Sequence, residues 1–424
     1  MKLRTRFRRL SDTERHEVIN DIFGGATEYN RFYDAVAVTY RIAEFICLFA
    51  ALLFGVIYIA VNAENIQYSQ FEYLAQNFAY ILEQNEERRT YITYEQDGEI
   101  TALSYRGGLV VCSDAHISVY SATGVRTSYH THGMAHPVPL AADKYLLVYD
   151  RGGVGYKLYS SFSEVHSGES EYRIHGACVG GDGSFALISS GGDSSYVVSL
   201  YNKSYKLINR YKTYSPVLSV AISDDGTKIA VASVSVGTGG GYETTVNFYT
   251  AGVDKLDGTI KAEGVLPLDC CFSEDNGFIL LGDSVVLFYG DNGRLLEWRE
   301  VAGYDMADIS ESGAVILSQN GGGRDGYLAQ LFDSQGDVAF YGELDGTPID
   351  VEIGDGYGYV LTLDSVVRLG GDVNGIGMTE VNGITSDALI CVTDGDGGMV
   401  YICEAAHSFA VSVAAPRADE QTAH

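Results

Sequence analysis

The chain has 424 residues, 46% of them hydrophobic, and its 28 Lys and Arg against 56 Asp and Glu leave a formal charge of −28. Such an acidic body repels nucleic acid and anionic lipid surfaces and excludes nucleic acid as a partner, while cations and basic proteins stay open. The 50 glycines, 31 tyrosines and only 6 prolines point to short strands and tight turns.

Residues 1–41 form a basic head carrying Lys2, Arg4, Arg6, Arg8, Arg9, Arg15, Arg31 and Arg41. Ser11-Asp-Thr-Glu14 matches a capping box ahead of a short helix, and Gly24-Gly25 separates that helix from the residues leading into the apolar run. The head is too small to bury a core alone. Residues 42–62 are expected to be a transmembrane helix, because Phe45 to Val61 is 17 residues without a charge and a span needs about 20. Basic residues flanking a span stay on the cytoplasmic side, which predicts a cytoplasmic N-terminus, an extracytoplasmic C-terminal body and a lipid bilayer partner through residues 42–62. Val61-Asn62-Ala63 would suit signal-peptide cleavage, but more than 40 residues precede the apolar run, so an uncleaved single-pass anchor is the better reading. Residues 1–62 hold eight bases and seven acids, leaving 20 bases against 49 acids beyond them.

Residues 63–88 read as an amphipathic stalk or docking helix, with Tyr68, Phe71, Leu74, Phe78, Ile81 and Leu82 at three- and four-residue intervals. From 89 to 413 the chain reads as β throughout. A strand ending in an aromatic or leucine recurs at Tyr120, Tyr159, Tyr201, Tyr249, Phe288, Phe332 and Leu369, in steps of 39, 42, 48, 39, 44 and 37 residues. Before most of these lies an apolar strand, an acidic or glycine turn and another apolar strand, as in LSVAISDDGTKIAVASV. Four strands per 40 or so residues is the period of a propeller blade. The expected fold is therefore an all-β, eight-bladed β-propeller of four-stranded antiparallel blades, with seven as the alternative. The blades fall near 102–135, 136–172, 173–214, 215–263, 264–303, 304–345, 346–381 and 382–413, and RTYITYE at 89–95 supplies the last blade's fourth strand. Residues 414–424 read as a disordered tail.

These repeats and the preceding apolar run resemble membrane-anchored bacterial β-propellers of the WD40-like and quinoprotein-like kind. More narrowly, the chain resembles an uncharacterised family with a short cytoplasmic head, one span and an extracytoplasmic propeller, for which no activity is established. It departs from better-known propellers in having a single tryptophan, Trp298, followed by Arg299. One Trp supplies neither repeated Trp-Asp pairs, nor the docking motifs of quinoproteins, nor sialidase-type boxes.

Candidate sites are few. His130, His132 and His136 are the nearest approach to a metal motif, since residues i and i+2 share a strand face; without a completing Cys or carboxylate, the solvated reading is preferred. Asp394 to Gly398 resembles the start of a calcium loop, but the twelfth position is Ala405, and tight hairpins need Asp and Gly for backbone reasons. The six cysteines beyond the span lie in apolar runs and read as small buried hydrophobes; Cys391 and Cys403 are the one pair placed to face each other across a hairpin. The connections at 150–156, 189–195, 234–243 and 318–327 are long, and they present Asp150, Arg151, Asp193, Tyr242, Glu243, Arg324 and Asp325 as a mixed ligand-facing surface. No cofactor motif and no nucleophile elbow, zinc helix or phosphate loop occurs. The expectation is a non-enzymatic binding or scaffolding platform with a protein partner in the cell envelope. The alternative is an extracellular glycan-binding or glycan-processing propeller.

Overall fold

A computed structural model describes residues 39–54 other than 41 and 51, and residues 91–416 other than 96, 97, 123, 161, 162, 194, 302, 320–325, 371–374 and 394–397. The chain divides into two compact units, Met1–Tyr68 and Ser69–His424. In the first, the described positions of 39–54 are helical, and Tyr40, Phe45, Phe49 and Phe54 all stand exposed, Phe45 at 80%. Among the described residues no helix is long and apolar enough to cross a membrane. The expected span continued to residue 62, and its part from 55 onward lies outside the described residues. So do the head up to residue 38, the segment 63–88 and the tail from 417.

The second unit contains eight four-stranded antiparallel sheets. Seven are contiguous in sequence, at 101–131, 137–169, 174–213, 217–263, 267–300, 304–345 and 348–380; we number them blades 1 to 7. Blade 8 combines Leu389–Val392, Met399–Glu404 and His407–Ser412 with Tyr91–Thr93, which pairs in the register Tyr91↔Phe409 and Thr93↔His407. The ring is thus closed by joining both ends of the repeat region in one sheet, which leaves the outer edge of His407–Ser412 paired. The eight-bladed expectation holds, because 348–380 forms a sheet of its own.

The second strand of each blade is nearly all apolar because it is covered on both faces by neighbouring blades. Gly108–Cys112 and Phe278–Gly282 are buried at every position. Outermost strands such as Arg126–Thr131 instead carry polar side chains toward solvent. Eight apolar clusters result, one at each blade interface; Ile92, Leu109, Tyr120 and Tyr401 form the one between blades 8 and 1. The recurring aromatic has a backbone role. In blades 1 to 6 the pairing between third and fourth strands slips at Tyr120, Tyr159, Tyr201, Tyr249, Tyr289 and Phe332. A bulge there sharpens the twist where the blade reaches its outer edge. In blade 5 the slip involves Tyr289, one residue after the Phe288 singled out by the repeat.

The seven described cysteines are free thiols. Cys391 opposes Tyr401 and Cys403 opposes Leu389, so the two lie diagonally across the hairpin and not face to face as expected. Their sulfurs are 3.9 Å apart.

Candidate docking face and central channel

Within an antiparallel blade, the loop between second and third strands and the connector to the next blade both follow an even-numbered strand. They therefore emerge at the same end, which we call the connector face. On this face the loops 151–154, 191–195 and 237–241 of blades 2, 3 and 4 are four or five residues long. The equivalents 113–115, 283–284, 363–364 and 405–406 have two or three. The remaining long loop, 320–325, lies outside the described residues, and with it Arg324 and Asp325.

The other expected site residues divide by role. The Asp150 carboxylate accepts main-chain N–H bonds from Ala135 at 3.1 Å and His136 at 2.8 Å, which pins the connector between blades 1 and 2. Asp193 accepts from Lys212 Nζ and Ser195 Oγ, each at 2.6 Å, and the ammonium foremost draws its pKa down to about 2. Glu243 pairs with Lys261 at 2.7 Å. Arg151 remains exposed at the channel, and Tyr242 is exposed with its hydroxyl 3.4 Å from Asp283 Oδ2. Three of the five thus hold loop geometry, and two face solvent.

The three histidines do not converge on a common point. His132 is buried; its Nδ1 accepts from Met134 N–H at 3.0 Å, so the proton sits on Nε2 and is donated to Ser113 O at 2.9 Å. Burial lowers its pKa, which keeps the ring neutral. His130 lies against the Tyr159 ring at 5.0 Å, and His136 is exposed. Among the described residues no three His, Cys, Asp or Glu are grouped to hold a metal ion.

Sequence reasoning missed several exposed apolar side chains on the connector face. Tyr214 is 73% exposed and Val236 83% exposed, and Val236 pairs across the strands with Tyr242. Beside them, Leu218 and Leu268 are exposed and line the channel. Each is the extra residue of a bulge, between Val217 and Ser219 and between Pro267 and Asp269, which turns an apolar side chain out of the blade interface. No sequence signal marked these two leucines, since only the observed slip at the second position of the inner strand turns them outward.

The channel itself is a cavity of about 1310 Å³ lined largely by the inner strands of blades 1 to 5. Carboxylates also stitch successive inner strands together. Asp308 of blade 6 accepts from Ile353 N–H of blade 7 at 2.9 Å. Asp350 of blade 7 accepts from Ile390 N–H of blade 8 at 2.9 Å, and Glu352 from Val392 N–H at 2.8 Å. Asp269 of blade 5 accepts from Ser219 Oγ of blade 4 at 3.0 Å. Enclosure by protein desolvates these acids and raises Asp269, Asp308 and Asp350, Asp308 to about 6, against the lowering effect of the bonds they accept.

The sequence profile of a family of unknown function, DUF5711, matches residues 82–368. The chain belongs to that family. No curated protein matches the sequence. Among solved structures this DUF5711 member is similar to the crystal structure of Chaetomium thermophilum Raptor, at 10% identity and a TM-score of 0.49. That similarity covers 79% of this chain and 30% of the other, less than a third of its length.

Proposed function

We propose that this protein is a non-enzymatic, membrane-anchored propeller of the cell envelope that docks a partner protein on the connector face of blades 2 to 5. The observation that carries the reading is the exposure of Tyr214, Val236 and Tyr242 on the same face as the long loops. Contiguous exposed apolar side chains rimmed by polar ones are what a protein-binding surface presents. The channel acids support a structural use of the carboxylates, since Asp308, Asp350 and Glu352 are engaged as acceptors for main-chain amides. Anchoring rests on the uncharged run Phe45 to Val61 and on the exposed apolar helix within 39–54. The extracytoplasmic placement rests on the basic residues ahead of that run.

Full-length protein extracted in detergent tests the docking face. Wild type and a Met378→Asp control, changed at an exposed site on an outer strand, should co-purify the same protein, and Val236→Asp should lose it. Equal recovery by all three would end the proposal. Anchoring has a separate test: protease added to intact cells should digest the propeller, and protection until the membrane is opened would reverse its placement.

A further inference from the structure

Between blades 2 and 3 lies a cleft of about 250 Å³ that takes in Asp193 of the expected ligand-facing surface. Its walls come from the outer end of blade 2 and its connector, and from three strands of blade 3. Two ion pairs frame it. Arg210 Nη1 meets Glu171 Oε2 at 3.1 Å, which links the two blades, and Lys212 Nζ meets Asp193 Oδ2 at 2.6 Å. Tyr172 stands at one wall beside Gly192, where a Cβ would sit 3.4 Å from its ring. The floor includes the buried Ser189 and Ser199.

We infer that this cleft binds one ring of a neutral saccharide. A sugar hydroxyl donates and accepts at once, and it is matched by a cation beside a carboxylate. Asp193 in particular is engaged by both Lys212 Nζ and Ser195 Oγ before a ligand arrives, which lowers the ordering cost at that carboxylate. Tyr172, half-buried at the wall, supplies an aromatic ring for the C–H face of a pyranose. Other ligand classes fit less well. An anion would have to displace carboxylates already on both cations, in a cleft where Glu169, Glu171 and Asp193 outnumber Arg210 and Lys212. An apolar ligand would meet Val197 as the only aliphatic side chain among the cleft's described residues. The cleft shares loop 191–195 with the docking face, but neither Tyr214 nor Val236 lines it, so separate variants test the two.

Saturation-transfer NMR on the full chain in detergent provides the test, with glucose, galactose, mannose, N-acetylglucosamine and their disaccharides as probes. At least one probe should receive saturation and titrate to a single site. Tyr172→Ala and Glu171→Gln should each weaken it about tenfold, without lowering the unfolding midpoint. Tyr341→Ala, exposed on the outer strand of blade 6, should bind as wild type. The inference fails if no probe receives saturation, if both cleft variants bind as wild type, or if inorganic phosphate displaces the sugar competitively.

Discussion

Blades 1 to 4 and blades 5 to 8 carry the same strand order but differ in what their inner strands present to the channel. In blades 1 to 4 those strands read TALSY, PVPLAA, IHGACV and VLSVAI, without an acid. In blades 5 to 7 they read PLDCCF, YDMADIS and PIDVEIG, and blade 8 contributes the amides of Ile390 and Val392. An inner strand has an open edge whose N–H groups need acceptors. The second half-ring meets part of that need with side-chain carboxylates from the preceding blade. The first half-ring, together with blade 5, borders the wide cavity, and it bears three of the long connector-face loops. Closure is thus concentrated in one half of the ring and surface variation in the other.

The largest expected effect bears on closure. Ile92 is 3% exposed in the cluster between blades 8 and 1, so Ile92→Ala should cost about 2–5 kcal/mol in denaturant unfolding. A loss below about 1 kcal/mol would mean that the Tyr91–Thr93 strand contributes little to holding the ring shut. Next comes the stitching. Asp350→Ala removes the acceptor of the Ile390 amide and should cost about 1–3 kcal/mol, with faster hydrogen exchange at Ile390. Ser104→Ala, on the acid-free inner strand of blade 1, should change stability by less than about 0.5 kcal/mol. Equal losses would erase the distinction between the halves.

Asp308 gives the contrast a pH dependence. Its ordinary value is 3.8 and its folded value about 6, so between these the folded state keeps a proton that the unfolded chain releases. Stability is therefore full below about pH 4 and declines as pH rises through 6. Burial lowers His132 and His166, and they act oppositely, removing stability as pH falls through their ordinary 6.5. The informative quantity is accordingly the difference between Asp308→Asn and wild type. The variant should gain about 1–3 kcal/mol at pH 7 relative to pH 4. A difference independent of pH would show that Asp308 is not strained by its charge. The smallest effect concerns loops. Two residues inserted within 237–241 should cost no more than about 0.6 kcal/mol, and the same insertion between Asp283 and Ser284 should cost more, because Asp283 Oδ1 accepts from Leu266 N–H at 2.9 Å.

Much of this architecture was legible because repetition averages out local ambiguity. One apolar strand, acidic turn and second apolar strand is a weak signal, but its return every 40 or so residues defines a blade. The excess of Asp and Gly in the turns also found its backbone reason, as where Asp225 accepts from Ser223 Oγ, Thr227 Oγ1 and Thr227 N–H. The site was less legible. With 56 acids in the chain, nothing marked Asp308, Asp350 and Glu352 as the ones that meet main-chain amides of the next blade. Asp350-Val-Glu352 did offer a clue, since alternation on an otherwise apolar strand sends both acids to one face. Leu218 and Leu268 sit in apolar runs, and only a bulge exposes them. Nothing in the sequence showed that Asp150 also braces the connector between blades 1 and 2.

The docking claim is tested most directly by a photo-crosslinking amino acid placed at Val236 in the full chain, in living cells. One discrete protein adduct is expected from Val236, repeated from Tyr214 and absent from Met378. Adducts from Met378 with none from Val236 and Tyr214 would contradict that claim.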